Sequence, residues 1–90
     1  MLKIRYSAKF KKDYKTIIKR GYDQTKFQAV LAMLCNQEEL PRELCDHQLK
    51  GEYSGHRECH IQPDWLLIYK IQEDILTLTL TRTGSHSDLF

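Results

Sequence analysis

Residues 75–81 read ILTLTLT, and from Leu76 onward every second side chain is aliphatic while its neighbour is threonine. A period of two describes a strand with one buried and one unburied face; wound into a helix, the same leucines would be scattered around the axis. A strand cannot bury Leu76, Leu78 and Leu80 by itself, so a second layer of structure must lie over them. Thr77, Thr79 and Thr81 are then left on an open face, and a sheet with an open face is a place to bind something.

The covering layer is found at the other end of the chain. After Ser7, which reads as an N-cap, Phe10, Tyr14, Ile17 and Ile18 recur at helical spacing, and Gly21 offers the left-handed stop. Asp23 caps a second helix, in which Phe27, Val30, Leu31 and Leu34 make an i, i+3, i+4, i+7 stripe ending before Pro41. The two form a helical hairpin whose apolar faces are too small for a core of their own and must pack on the sheet. Ahead of them, Leu2, Ile4 and Tyr6 alternate with Lys3 and Arg5 as a short strand with one covered face. Residues 37–55, broken by Pro41, Gly51 and Gly55, read as a loop with one short strand near residues 49–53. From Arg57 to about Thr81 the chain reads as strands. With 90 residues there is room for one modest core, and residues 1–90 are expected to form a single domain.

Charge is unevenly placed. The net charge is +2, yet residues 1–20 hold Lys3, Arg5, Lys9, Lys11, Lys12, Lys15, Lys19 and Arg20 against the single acid Asp13. Such clustering suits contact with phosphates or with an acidic protein, although a lysine-rich helix face is also an ordinary solvated surface. No run approaches the roughly 18 apolar residues of a membrane span, and the N-terminus has no apolar signal core, so a cytoplasmic protein without membrane contact is expected. Cys35, Cys45 and Cys59 are odd in number and lack paired spacing, which fits reduced thiols.

The chemistry is concentrated in residues 56–65, HRECHIQPDW, and in the tail RTGSHSDLF. Pairing residues 65–71 with 75–81 around a turn at 72–74 sets Asp64 opposite Arg82, and pairing 57–61 with 64–68 sets His60 beside Trp65. With strands about 4.8 Å apart, His60, Asp64, Trp65 and Arg82 would converge on one sheet end, with His86 just beyond. Histidine both takes and gives a proton near neutral pH, and an arginine beside it stabilises charge on a phosphoryl oxygen. That set suits RNA cleavage by attack of the ribose 2′-hydroxyl, with no cofactor. A zinc site is disfavoured: Cys45, His47, His56, Cys59 and His60 lack paired C-x-x-C knuckles, and of two neighbours on a strand one points away. There is no glycine-rich phosphate loop and no G-x-S-x-G.

The segments DHQLKG (residues 46–51), RECHIQPDWLLIY (57–69) and RTGSHSDLF (82–90), in this order, resemble the YafQ branch of the RelE-type toxins of bacterial toxin-antitoxin systems. The resemblance implies an α/β (α+β) fold, with an N-terminal strand and helical hairpin packed on a twisted, mainly antiparallel sheet of four to five strands. It also implies an endoribonuclease that cuts mRNA in the ribosomal A site, is held inactive by a cognate antitoxin, and meets operator DNA only through that complex. Carried over by position, the functional histidines fall on His47, His60 and His86, the acid on Asp64, the arginine on Arg82 and the terminal aromatic on Phe90. His86 is then the general acid and Arg82 the phosphate contact, while the base lies among His47, His60 and Asp64. Phe90 and Trp65 would stack on bases of the message. The alternative is a module that keeps the fold, binds the antitoxin and does not cut RNA.

Overall fold

The computed structural model describes residues 1–90. In chain order it contains β1 (Lys3–Tyr6), α1 (Ala8–Lys19), α2 (Gln24–Cys35), β2 (His47–Gln48), β3 (Arg57–Gln62), β4 (Trp65–Gln72), β5 (Thr77–Gly84) and a C-terminal turn of helix, α3 (His86–Leu89). The strands form one sheet in the order β1-β5-β4-β3-β2. Only the β1–β5 pair is parallel; the other three are antiparallel.

The helix boundaries follow their caps. Ser7 Oγ accepts the Phe10 N–H at 2.9 Å and donates to the Thr81 carbonyl at 2.7 Å, so one side chain starts α1 and ties it to β5. Asp23 accepts the Thr25 N–H at 3.0 Å at the start of α2. Gly21, at φ 76°, takes the left-handed conformation that ends α1. Phe10, Ile17, Phe27, Val30 and Leu34 bury against one face of the sheet with Cys59, Ile61, Trp65, Leu67, Tyr69, Leu78 and Leu80. Ile18, expected in that stripe, is instead exposed, as are Ile4 and Tyr6 of β1, whose neighbour Leu2 carries the burial.

β4 is buried from Trp65 through Tyr69 because its second face is also covered. There Leu66 and Ile68 pack with Leu89 of α3, flanked by Leu49 and Tyr53. The face expected to be open is therefore partly roofed by the C-terminus and the β2–β3 connection.

Two expectations about this sheet are corrected. Residues Glu73–Ile75 form a 3-10 turn, and Leu76 follows it at φ 49°. The turn takes up the first two residues of the alternating run, leaving Ile75 and Leu76 exposed, and β5 runs on to Gly84. Ile68, not Asp64, consequently lies opposite Arg82. The register also shifts between Ile68↔Arg82 and Tyr69↔Leu80, which makes Thr81 the extra residue of a β-bulge. Uninterrupted alternation would set Arg82 on the leucine face; the bulge turns it to the face of Ile68. In the second case, the short strand is His47–Gln48, while Gly51–Tyr53 form a 3-10 turn.

Candidate active site

On β3, Cys59 and Ile61 join the helix-covered core, so alternation sends Glu58 and His60 to the other face. β2 sets His47 opposite Glu58, and β4 sets Leu66 opposite His60. The short β2 is held in place by its neighbour Asp46, which accepts from Arg57 Nε and Nη2 at 3.1 and 3.0 Å and from the Tyr69 hydroxyl. Burial and this bond to Asp46 push the Tyr69 phenol above its ordinary range.

α3 delivers the third histidine. Ser85 and Asp88 form a reciprocal capping box, and a Cβ on Gly84 would lie 2.9 Å from Asp88, so this tight entry requires glycine. Asp88 is gripped by Arg20 at 2.6 and 3.0 Å. Asp64 Oδ1 accepts the His86 backbone N–H at 2.9 Å and lies 2.7 Å from His86 Nδ1. The backbone bond, then the side-chain bond, holds the Asp64 carboxyl below its usual range. An ionised carboxylate only accepts, so Nδ1 carries its proton toward Asp64 and Nε2 is the ring atom left for exchange.

The three imidazoles form a row. The rings of His86 and His60 meet edge to face with centroids 5.6 Å apart, and His47 lies 6.5 Å from His60. His47 Nδ1 lies 2.7 Å from the Cys45 carbonyl, which leaves Nε2 as its exchangeable atom. Behind the pair is Glu58, only 5% exposed, with Oε1 at 3.6 Å from His47 Nε2 and 3.7 Å from His60 Nε2. Glu58 Oε2 has no hydrogen-bond partner.

Arg82 lies two strands from Glu58 on the same face, across Ile68. Asp13 of α1 accepts from its Nε and Nη2 at 2.6 and 3.1 Å, and Nη1 reaches the Tyr53 hydroxyl at 3.4 Å. The bonds to Asp13 hold the guanidinium above its ordinary range. Tyr53 in turn stands edge to face with Phe90 at 6.3 Å, and Phe90 is 67% exposed.

The structure thus gathers His47, His60, Asp64 and His86, sets Arg82 on the same face and leaves Phe90 at its rim. Trp65 is the correction. Its side chain is 1% exposed, its indole N–H donates to Thr83 Oγ1 at 2.9 Å, and its ring packs edge-on against Tyr22, so no face is free for stacking. Glu58, Asp13 and Tyr53 were not singled out from the sequence. Glu58 carried a signal, since two residues before His60 on a strand means the same face. Asp13 carried another as the single acid of a basic segment. Tyr53 had none. No three His, Cys, Asp or Glu side chains close around a point at metal-ligand spacing, and all three cysteines are free, with burial pushing the Cys59 thiol up to about 12.

A family model described as "Bacterial toxin of type II toxin-antitoxin system, YafQ" matches residues 2–90. The "mRNA interferase toxin YafQ" of Escherichia coli strain K12 is 40% identical over 88 residues, covering 97% of this chain and 94% of the relative. Among solved structures, a metal-bound toxin from Helicobacter pylori superposes with a TM-score of 0.94 at 44% identity, with both chains fully covered. The toxin in the E. coli DinJ-YafQ complex gives 0.90 at 38% identity, covering 100% of this chain and 99% of that one.

Proposed function

Because the chain belongs to the YafQ family of type II toxins, we propose that it is an mRNA interferase whose open sheet face cleaves the message by acid/base catalysis without a metal. The observation that carries this reading is the row His47, His60, His86, with His86 oriented by Asp64 and edge-on to His60 at 5.6 Å. The two rings touch, so the phosphodiester lies over the row rather than between them, each exchangeable nitrogen about 2.8 Å from the apical oxygen it serves. His60, backed by Glu58, takes the 2′-hydroxyl proton. Arg82 meets the phosphoryl oxygens. His86 Nε2 protonates the departing 5′-oxygen, and Phe90, braced by Tyr53, stacks on a base. Asp64, bonded to His86, orients it, which favours a histidine over Asp64 as the base.

Arg82 and His60 line separate hollows and share no cleft that could hold a flexible strand in line. The ribosome supplies that order in the A site, and the exposed lysines and arginines of β1 and α1 contact its phosphates. The same basic surface and sheet face receive an acidic cognate antitoxin, as the E. coli relative is found with DinJ, and operator DNA is met only through that complex. No helix is long and apolar enough to cross a membrane, and action on translating ribosomes belongs in the cytoplasm. The H. pylori relative has a metal-bound form; in this protein no three His, Cys, Asp or Glu side chains close around a metal position.

The test compares His86→Ala with Arg82→Ala on ribosomes carrying a defined message, with a chelator selective for transition metals in excess and magnesium kept at the level the ribosome needs. Each variant should lose about a hundredfold or more in rate with the fold retained. Replacing the scissile 5′-oxygen by sulfur, a leaving group that needs no proton, should rescue His86→Ala far more than Arg82→Ala. Products should end in a 2′,3′-cyclic phosphate. Equal rescue, a free 3′-hydroxyl or activity abolished by the chelator would overturn the mechanism, and undiminished cleavage by His86→Ala would remove His86 from it.

A further inference from the structure

The single acid of the basic helix α1 does not face water. The Asp13 side chain is 15% exposed and turned against β5. Its Oδ2 accepts both the Arg82 Nε–H, at 2.6 Å, and the Thr83 backbone N–H, at 3.1 Å; its Oδ1 accepts from Arg82 Nη2 at 3.1 Å. The carboxylate is thereby referenced to the main chain and grips one whole edge of the guanidinium. Thr83 is itself anchored, donating to the Leu66 carbonyl at 2.7 Å and accepting from Trp65. Asp13 therefore ties the Arg82 side chain to the main chain of β5, which Thr83 anchors to β4.

This grip determines what Arg82 can offer. A guanidinium held along its Nε and Nη2 edge, with one Nη1 proton toward Tyr53, keeps the other Nη1 proton and the outer Nη2 proton for another ligand. Nη1 lies on the side of Tyr53, which adjoins Phe90. A half-buried ion pair is weak evidence of stabilisation in its own right. The pair spans 69 positions and engages the one strand residue that the Thr81 bulge has turned to the histidine face.

We propose that Asp13 is a positioning residue for RNA cleavage: it holds the Arg82 guanidinium edge-on so that its free N–H groups face the scissile phosphate. The proposal rests on the assignment of Arg82 to the phosphate. Orientation fixed in advance leaves little rearrangement as charge develops in the transition state, so the effect belongs in kcat rather than KM.

The experiment is a double-mutant cycle on ribosomes programmed with a defined message, each protein being measured well below its unfolding midpoint. Asp13→Asn keeps the shape of the side chain and removes the charge that grips the fork. In the wild-type background it should lower kcat about tenfold or more with KM changed less than about threefold. In the Arg82→Ala background it should change kcat less than about twofold, because nothing is left to position. Asp13→Glu should recover part of the loss. Equal fractional losses in the two backgrounds would make Asp13 a purely structural residue and overturn the proposal, as would an unchanged kcat in Asp13→Asn. If Asp13→Asn does not fold, Asp13→Glu with and without Arg82→Ala reads the same coupling. An Arg82→Ala protein that cleaves at the wild-type rate strikes the phosphate assignment and this proposal with it; there the single Arg82 variant fails, rather than the coupling.

Discussion

On the helix-covered side of β4, Trp65, Leu67 and Tyr69 join a cluster of 14 buried side chains; on the other side Leu66 and Ile68 have Leu89 as their only buried apolar companion. Polar groups are divided in the opposite sense. Glu58, His60, Arg82 and the approach of His47 and His86 all belong to the thinly covered face. Alternation along a strand lets neighbouring residues serve these different ends, so one face can carry the core while the other carries groups that would be costly inside it. The small apolar patch of Leu66, Ile68 and Leu89 gives the imidazoles a floor without enclosing them.

The largest effect that tests this division is on stability. Leu78 is fully buried on the helix side, and Leu78→Ala should cost about 2–5 kcal/mol in urea unfolding through lost burial and a cavity. For a protein of this size that is a large share of the total. Cleavage, measured cold where the variant is folded, should stay within about twofold of wild type. An unchanged midpoint would mean that β5 does not carry the core.

A smaller effect should appear on the opposite face and with the opposite balance. Glu58→Gln should lower cleavage by about tenfold, since Oε1 stands behind both His47 and His60. Its unfolding midpoint should hold or rise, because a buried carboxylate with an unpartnered oxygen is a burden on the fold. Loss of stability and activity together would show that the two faces are not separable at this residue.

The smallest effect concerns acid. Asp88, held down first by Arg20 and then by the Ser85 backbone, and Asp64, held down by His86, both titrate below the ordinary carboxylate range. In that window the folded protein binds fewer protons than the unfolded chain, so their stabilisation is complete above about pH 4 and is lost as the pH falls through the depressed values. Amide protection in α3, taken relative to the intrinsic exchange rate at each pH, should therefore fall at acid pH before that of β4. Simultaneous loss of both would place α3 in the core's cooperative unit.

How much of this was legible in the chain varies by residue. Ser7 and Asp23 read as caps and are caps. Leu78 and Leu80 read as core and are fully buried. The site histidines were marked by type and order, and His60 came within one position of its expected neighbour, lying opposite Leu66. Trp65 misled, because an indole beside a polar turn looks the same in sequence whether its ring is free or, as here, tied to Thr83 and Tyr22.

What the sequence determined by itself was periodic and local: where helices start and stop, which strand residues alternate, and which residue types are available for chemistry. Those signals repeat within a few positions and need no partner. The tertiary structure alone decided register, because register depends on how many residues a turn takes up, and here Ile75 and Leu76 went to the turn while Thr81 bulged. It alone also decided which charges meet, since Asp13 and Arg82 stand 69 positions apart and are joined only when α1 packs on β5. A periodic signal cannot carry such a pairing: its cause is the docking of two elements, not the chemistry of either one.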